Sequence, residues 1–350
     1  MRRISLFFLL FLQTTLFGRE IASYDVIGIG MACVDAFIFV DDNFLKQHVP
    51  GEKGRSYHTD PDTFNGLIKN CTISKRAVGG SAANTLRGLA KLGVSTALLS
   101  HIGRDPAGDF YQESLNRYGI KALLSTPPGF STPEILCLIT PDGQRTMRGS
   151  PKRKIAMSVD PTLFKTKLMH VEARRFDICT YVEEAMFHAK KASSLISIDL
   201  SDPGTVLQYK TLLKRIIKTY VDIVFTDEDT FTAFTDLPLE EGCLELQKSC
   251  PLVVVTLGEK GCLVGHDDQL IRVPTTPVAA LDTTGAGDLF ASGFLAGYLQ
   301  GCDLDICARM GNLLGGAIVQ ITGAELPDNL WPALLQKLEK QGESQKKEID

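Results

Sequence analysis

The sequence predicts an α/β protein: a doubly wound, mostly parallel sheet with helices on both faces, carrying a small β-sheet lid. Three observations predict it. Short apolar runs alternate with helical stretches along most of the chain. A turn-centred hairpin and one further short run break that alternation and are assigned to the lid. Two helices open on glycine-rich turns, at Gly79-Gly80 and Gly285-Ala286-Gly287, where such a sheet presents its ligands. A chain of 350 residues, 44% hydrophobic and 22% charged, is long enough for a large core and is neither fibrous nor disordered.

In order, Arg2-Arg3 and the apolar run Ile4 to Leu12 resemble the charged and apolar parts of a signal peptide. The run is too short to span a bilayer, and no clean cleavage site precedes Tyr24. Residues 1–22 are therefore set apart as an apolar extension, 23–338 as one domain and 339–350 as a charged tail. Tyr24 to Gly30 is a buried parallel strand, but Cys33 stands where the third glycine of a dinucleotide fingerprint belongs, so that match fails. Asp35 closes the following loop. Ala36 to Val40 is a short apolar run, and 46–57 is a polar surface segment. Asp60-Pro61 caps a helix to about Asn70. Ala77 to Thr85 opens a helix that stops at Gly93.

Thr96 to Ile102, Pro106 to Tyr118 and Lys121 to Leu124 then read as strand, helix, strand. Glu134 to Thr140 and Gln144 to Arg148 flank Pro141-Asp142-Gly143 as a hairpin. The lid is assigned to about 36–57 and 131–150. From Leu168 the alternation resumes, with strands at Leu195 to Leu200, Val221 to Phe225 and Leu252 to Leu257. Cys262 to Gly265 and Leu270 to Val273 form an antiparallel edge, and helices at Leu289 to Leu299, Asp303 to Ile321 and Asn329 to Leu338 close the chain.

Composition and motifs remove several classes of function. A formal charge of −4 gives no general attraction to nucleic acid. Nine cysteines, an odd number without a Cys-x-x-Cys pair, suit reduced thiols better than disulfides or zinc. There is no P-loop, no Gly-x-Ser-x-Gly elbow and no histidine pair at metal-binding spacing.

The two glycine-rich helix starts remain. Unpaired N–H groups and the helix dipole make the turn at Gly285-Ala286-Gly287 an anion site. Asp288 follows at once and reads either as an N-terminal cap or as a base that takes a proton from a group attacking that anion. Asp35, Gly79-Gly80 and Asn84 fall at strand-to-helix exits, and an Asp with an Asn suits paired sugar hydroxyls. Together they would hold a polyol with one hydroxyl facing Asp288.

Gly79-Gly-Ser-Ala-Ala-Asn-Thr85, continuing to Gly103, and Asp282-Thr-Thr-Gly-Ala-Gly-Asp288 resemble the two signatures of the ribokinase-like (PfkB) family of carbohydrate and nucleoside kinases. The resemblance covers about Tyr24 to Leu338, and its wording is similar to the bacterial adenosine-kinase-like branch. It implies ATP, Mg²⁺ and phosphoryl transfer to a primary hydroxyl of a sugar or nucleoside. It implies Asp288 as general base, needing no large pKa shift, with the N–H groups of Gly285, Ala286 and Gly287 as anion hole. Asp35, Gly79, Gly80 and Asn84 match substrate contacts. Thr256, Gly258 and Gly261 match the loop beside the ATP phosphates and ribose, and Asn312 a position near adenine.

One departure stands out. Where the family has Asn-x-x-Glu, which helps organise Mg²⁺ and phosphate, this chain has Asp227-Glu228-Asp229-Thr230. Glu228 or Asp229 is the candidate replacement carboxylate. A fold that binds nucleotide or sugar without turnover is the alternative this departure keeps open. The run Arg145 to Lys154, with five basic residues, reads as a solvated hairpin or as a lid that meets phosphate. The need for ATP makes the expected location cytoplasmic, export being the other reading of the N-terminus. A small-molecule substrate, no stable membrane span, and a monomer or homodimer are expected.

Overall fold

The structure, a computed structural model, describes residues 24–349 apart from 50, 55, 151–153, 156, 158, 178 and 179. The N-terminal extension 1–22 and part of the basic lid run lie outside the described residues. β1 (Val26–Ile29) is buried at every position, which is why it reads as one apolar run. β2 (Cys33–Phe39) leaves for the lid, followed by α1 (Asp42–His48), β3 (Ser56–His58) and α2 (Pro61–Asn70). α2 starts as expected, the Thr63 N–H donating to the Asp60 carboxylate at 3.0 Å. The polar 46–57 stretch carries the end of α1 and the start of β3. One correction is β4 (Lys75–Gly79), hidden because its first residues, Lys75 and Arg76, are exposed and show no apolar alternation.

α3 (Ser81–Lys91), β5 (Thr96–His101), α4 (Pro106–Arg117) and β6 (Lys121–Ser125) follow, then the lid hairpin β7 (Glu134–Ile139) and β8 (Arg145–Gly149). The main layer resumes with β9 (Leu168–Glu172), α5 (Val182–Lys191), β10 (Leu195–Asp199), α6 (Pro203–Tyr220) and β11 (Ile223–Asp227). It ends with α7 (Glu228–Thr235), α8 (Leu239–Gln247), β12 (Leu252–Thr256), β13 (Cys262–His266), β14 (Gln269–Val273), α9 (Ala286–Leu299), α10 (Leu304–Ile318) and α11 (Trp331–Ile349). The last helix runs past Leu338 into the charged tail.

Among the described residues, nine strands form the main sheet in the order β14-β13-β12-β11-β10-β9-β1-β5-β6. All its pairs are parallel except the β12–β13–β14 edge. The lid is a second sheet, β3-β8-β7-β2-β4. Alternation along the main strands splits the core. Val26, Leu98, Leu168 and Phe225 pack under α3, α9 and α10, while Ile27, Ile29, Met169 and Ile196 pack under α5 and α6. α9 has no polar stripe because it is buried nearly all round; Phe294 meets Phe225 edge-on, with ring centroids 5.4 Å apart. Burial of one such ring stabilises by about 1.5–3 kcal/mol. α3 crosses α9 closely at Gly88, where a Cβ would lie 2.3 Å from Ser292 Oγ. That contact fixes Asn84 and Asp288 relative to each other.

On the lid, Ala36, Ile38, Leu136 and Leu138 face α1 and α2 and form a separate core with Leu45, Phe64 and Leu67. The other face of the lid sheet is left for the site. No helix among the described residues is long and apolar enough to cross a membrane.

Candidate active site

The carboxyl ends of the parallel strands carry the polar groups. Glu172 ends β9 in register with Asp199, which ends β10, and Asp227 ends β11 in register with Thr256, which ends β12. At a sheet of this kind the strand ends and the helix starts that follow them form the ligand crevice.

Gly79-Gly80 joins the lid to α3. Gly80 has φ 102°, and a Cβ there would lie 2.0 Å from the Met31 carbonyl oxygen, so only glycine fits. Asp35 is a correction: it lies inside β2, paired with Ala77, and not at a strand-to-helix exit. A Cβ on Gly79 would sit 2.9 Å from either Asp35 oxygen, so the carboxyl rests against the bare Gly79 backbone. Burial raises the Asp35 pKa to about 6, against the opposing charge of Arg87.

α9 begins at Gly285, which is its N-cap with φ 79°; Asp288 lies in the first turn and does not cap the helix. Instead Asp288 Oδ2 accepts from Asn84 Nδ2 at 2.7 Å, and Oδ1 lies 2.7 Å from Ser81 Oγ. The cap reading of Asp288 therefore falls. The Ala286 N–H donates to the Thr283 carbonyl at 3.2 Å and closes the turn, while the space beside Gly287 is open.

Ser81 Oγ also lies 3.1 Å from Asp199 Oδ2. One hydroxyl thus bridges two carboxylates. Burial, and then the charge of Asp288, raise the Asp199 pKa to about 7. Burial raises Asp288 to about 6, opposed by the hydrogen bonds from Asn84 and Ser81. Desolvation thus outweighs its two donors, and the carboxyl carries a shift that base function does not itself require.

The positions that the resemblance matches to ATP form a second cluster. Thr256 Oγ1 donates to the Thr226 carbonyl at 3.4 Å. Gly258 starts a short 3₁₀ turn, and Gly261 leads into β13, whose first residue pairs with Val273. Asn312, on α10, donates to the Val273 and Pro274 carbonyls at 3.2 and 3.3 Å, so it meets Gly261 at the end of β14. Asp227 is the N-cap of α7, accepting from the Thr230 N–H at 2.9 Å and the Thr230 hydroxyl at 2.7 Å. Thr230 is fully buried; Glu228 is half-buried and Asp229 exposed. Among the described residues, no group of three or more His, Cys, Asp or Glu gathers to hold a metal.

The lid reaches the glycine turn through Arg145, which pairs with Asp282 at 2.8 Å and donates to Thr284 Oγ1 at 3.3 Å. The strand register puts Met147, Cys137 and Phe37 on the same face as Arg145, directed at the site. Arg148 points the other way, buried with its guanidinium 5.0 Å from the Tyr57 ring centroid. The basic hairpin is therefore neither wholly solvated nor uniformly turned to the site.

Sequence reasoning passed over Ser81, Asp199 and Arg87. The signal available for Asp199 is a carboxylate ending a mostly apolar strand.

A family model described as pfkB family carbohydrate kinase matches residues 57–331. A nucleoside kinase from Methanocaldococcus jannaschii is 29% identical over 276 residues, which cover 76% of this chain and 87% of that protein. The adenosine kinase structure from Sinorhizobium meliloti superposes with a TM-score of 0.79 at 28% identity, covering 90% of this chain and 100% of the other. A probable sugar kinase structure from Rhizobium etli gives a TM-score of 0.79 at 26% identity, with 90% and 98% covered.

Proposed function

The chain belongs to the pfkB family of carbohydrate kinases, and within that family of sugar and nucleoside kinases we propose that it transfers the γ-phosphoryl group of ATP to the primary hydroxyl of a nucleoside. The observation that carries this is Asp288 in the first turn of α9, beside the glycine turn and held by Asn84 and Ser81.

Phosphoryl transfer needs alignment and charge stabilisation more than covalent help. The start of α9 supplies N–H groups and a dipole for the migrating group; those of Gly285 and Gly287 form the anion hole, whereas the expected third donor, the Ala286 N–H, is taken by the Thr283 carbonyl. Asp288, ionised at neutral pH, takes the hydroxyl proton as attack proceeds. Asp35, Gly79, Gly80 and Asn84 hold the sugar. Thr256, Gly258, Gly261 and Asn312 border ATP. The apolar inner lid face of Phe37, Cys137 and Met147 suits a flat base better than a bare sugar, and the nucleoside and adenosine kinase relatives agree.

Mg²⁺ would be held at the start of α7 through water, since no three carboxylates gather there among the described residues. Asp227 is engaged as a cap but Glu228 and Asp229 are free to act through water, as suits an ion that keeps much of its hydration. When bound with ATP, it neutralises charge on the phosphates.

The test is product formation with ATP and Mg²⁺ over adenosine, inosine, ribose and fructose. Phosphorylation of a nucleoside in preference to the free sugars is expected. ATP binding without turnover on any of these would establish the non-catalytic reading that Asp227 and Thr230 motivate.

A further inference from the structure

Arg87 is a guanidinium buried to 4% exposure on α3, one turn beyond Asn84. Its Nη2 donates to Asn84 Oδ1 and also lies 3.4 Å from the Ala324 carbonyl oxygen. Its Nη1 pairs with Glu325 at 3.7 Å, and its Cζ stands 5.7 Å from the Tyr118 ring centroid. Nε and Nη1 have no hydrogen-bond acceptor among the described residues, so the group is desolvated more than it is satisfied. A buried charge held at such cost requires a local reason.

An arginine has donors only, whereas an asparagine amide has one acceptor end and one donor end. Facing Arg87, Asn84 must present its oxygen, and its nitrogen then points at Asp288 Oδ2, 2.7 Å away. Asp288 alone would enforce that orientation only while ionised. Once protonated, it could donate to a flipped amide. Arg87 forbids the flip in both protonation states. Its other contacts reach the loop that buttresses the glycine turn: the Gly323 N–H donates to Asp282 at 2.6 Å, and Ala324 packs against Gly285.

We propose that Arg87 is a positioning residue for phosphoryl transfer, locking the Asn84 amide with its nitrogen on Asp288 and tying it to the 323–325 loop behind the anion turn. This rests on the kinase reading given above. The charged groups facing Asp288 are Asp199 from β10, Glu172 from β9 and Arg87 itself, so Arg87 is the cation that offsets two carboxylates.

The test compares Arg87→Met and Arg87→Lys, with Glu325→Gln as control, since Glu325 shares the structural tie but does not touch Asn84. Arg87→Met is expected to lower kcat about 10- to 100-fold while the KM for ATP stays within about twofold. It should also move the acid limb of kcat/KM upward by about half a pH unit or more. Arg87→Lys keeps a donor and should restore most of the limb position; if the Met variant does not fold, Arg87→Gln, uncharged and of similar length, takes its place. Glu325→Gln should lose thermal stability without moving the limb.

A Glu325→Gln profile that reproduces the Arg87→Met shift, or an Arg87→Met limb that coincides with wild type, would overturn the proposal. If wild type phosphorylates nothing, the kinase reading falls by itself. The carboxyl ¹³C titration of Asp288, assigned with Asp288→Asn, still decides the lock: an upward shift in Arg87→Met supports it, and an Arg87→Met curve coincident with wild type sinks it.

Discussion

Replacing Asp288 by Asn should abolish turnover and, at neutral pH, raise stability in the same molecule. The side chain keeps its shape and still accepts from one of its donors, Asn84 or Ser81, so the site persists. Loss of a general base costs about 10²- to 10⁴-fold in kcat, or about 3–5 kcal/mol of transition-state stabilisation. ATP affinity should stay within about twofold, because on the proposed reading Asp288 meets the acceptor hydroxyl and not the nucleotide.

Stability follows from the raised pKa, about 6 against an ordinary 3.8, caused by burial. The folded state binds this proton more tightly than the unfolded chain does. Its contribution is therefore fully present below 3.8 and lost as pH rises through about 6. An Asn does not titrate. The melting temperatures of variant and wild type should lie closest at pH 4, separate between pH 4 and 6, and differ by a constant amount above about pH 7. At about 1.4 kcal/mol per unit, and discounted for partial exposure, the gap is on the order of 1–3 kcal/mol, a few degrees in Tm. Differential scanning fluorimetry from pH 4 to 8, beside steady-state phosphoryl transfer, measures both. Turnover within about tenfold of wild type would refute the base. A Tm gap independent of pH would refute the buried-charge argument.

Three further outcomes are expected. Gly80→Ala puts a Cβ 2.0 Å from the Met31 carbonyl at φ 102°, and should cost more than about 2 kcal/mol in urea or thermal unfolding. Arg145→Ala breaks the 2.8 Å pair between lid and glycine turn, and should raise KM for the acceptor about tenfold with little change in Tm. Phe37→Ala should weaken a nucleoside acceptor about tenfold and leave ribose nearly unchanged, as read from the ratio of kcat/KM values.

Most of the main sheet was legible because its strands are buried on both faces, and such strands write themselves as uninterrupted apolar runs, as at Val26–Ile29 and Leu252–Thr256. The lid was harder. Its hairpin announced itself through Pro141-Asp142-Gly143, but β4 opens on exposed Lys75-Arg76, and β3 is a three-residue edge strand paired only with β8. Asp35 was misplaced for the same reason. Only Gly30, Met31 and Ala32 separate the end of β1 from the start of β2, too short a break to reveal that the chain changes sheet.

The acidic and glycine-rich parts of the site could be read because Gly79 to Asn84 and Asp282 to Asp288 each form a continuous string. Ser81 could not be assigned a role, because its meaning is set by partners 118 and 207 positions away. At the start of a helix, a serine alone reads as a cap. Asp199 has the same problem, since nothing in Leu195–Asp199 says which carboxylate will stand across from it. Yet the pair determines how the site behaves. Asp288 can be a base only if it is ionised, and Asp199, sharing the Ser81 hydroxyl, opposes its ionisation. Asn84 and Arg87 must therefore supply what Asp199 takes away. The protonation state of Asp288 is set by that opposition, and it cannot be read from either glycine-rich string.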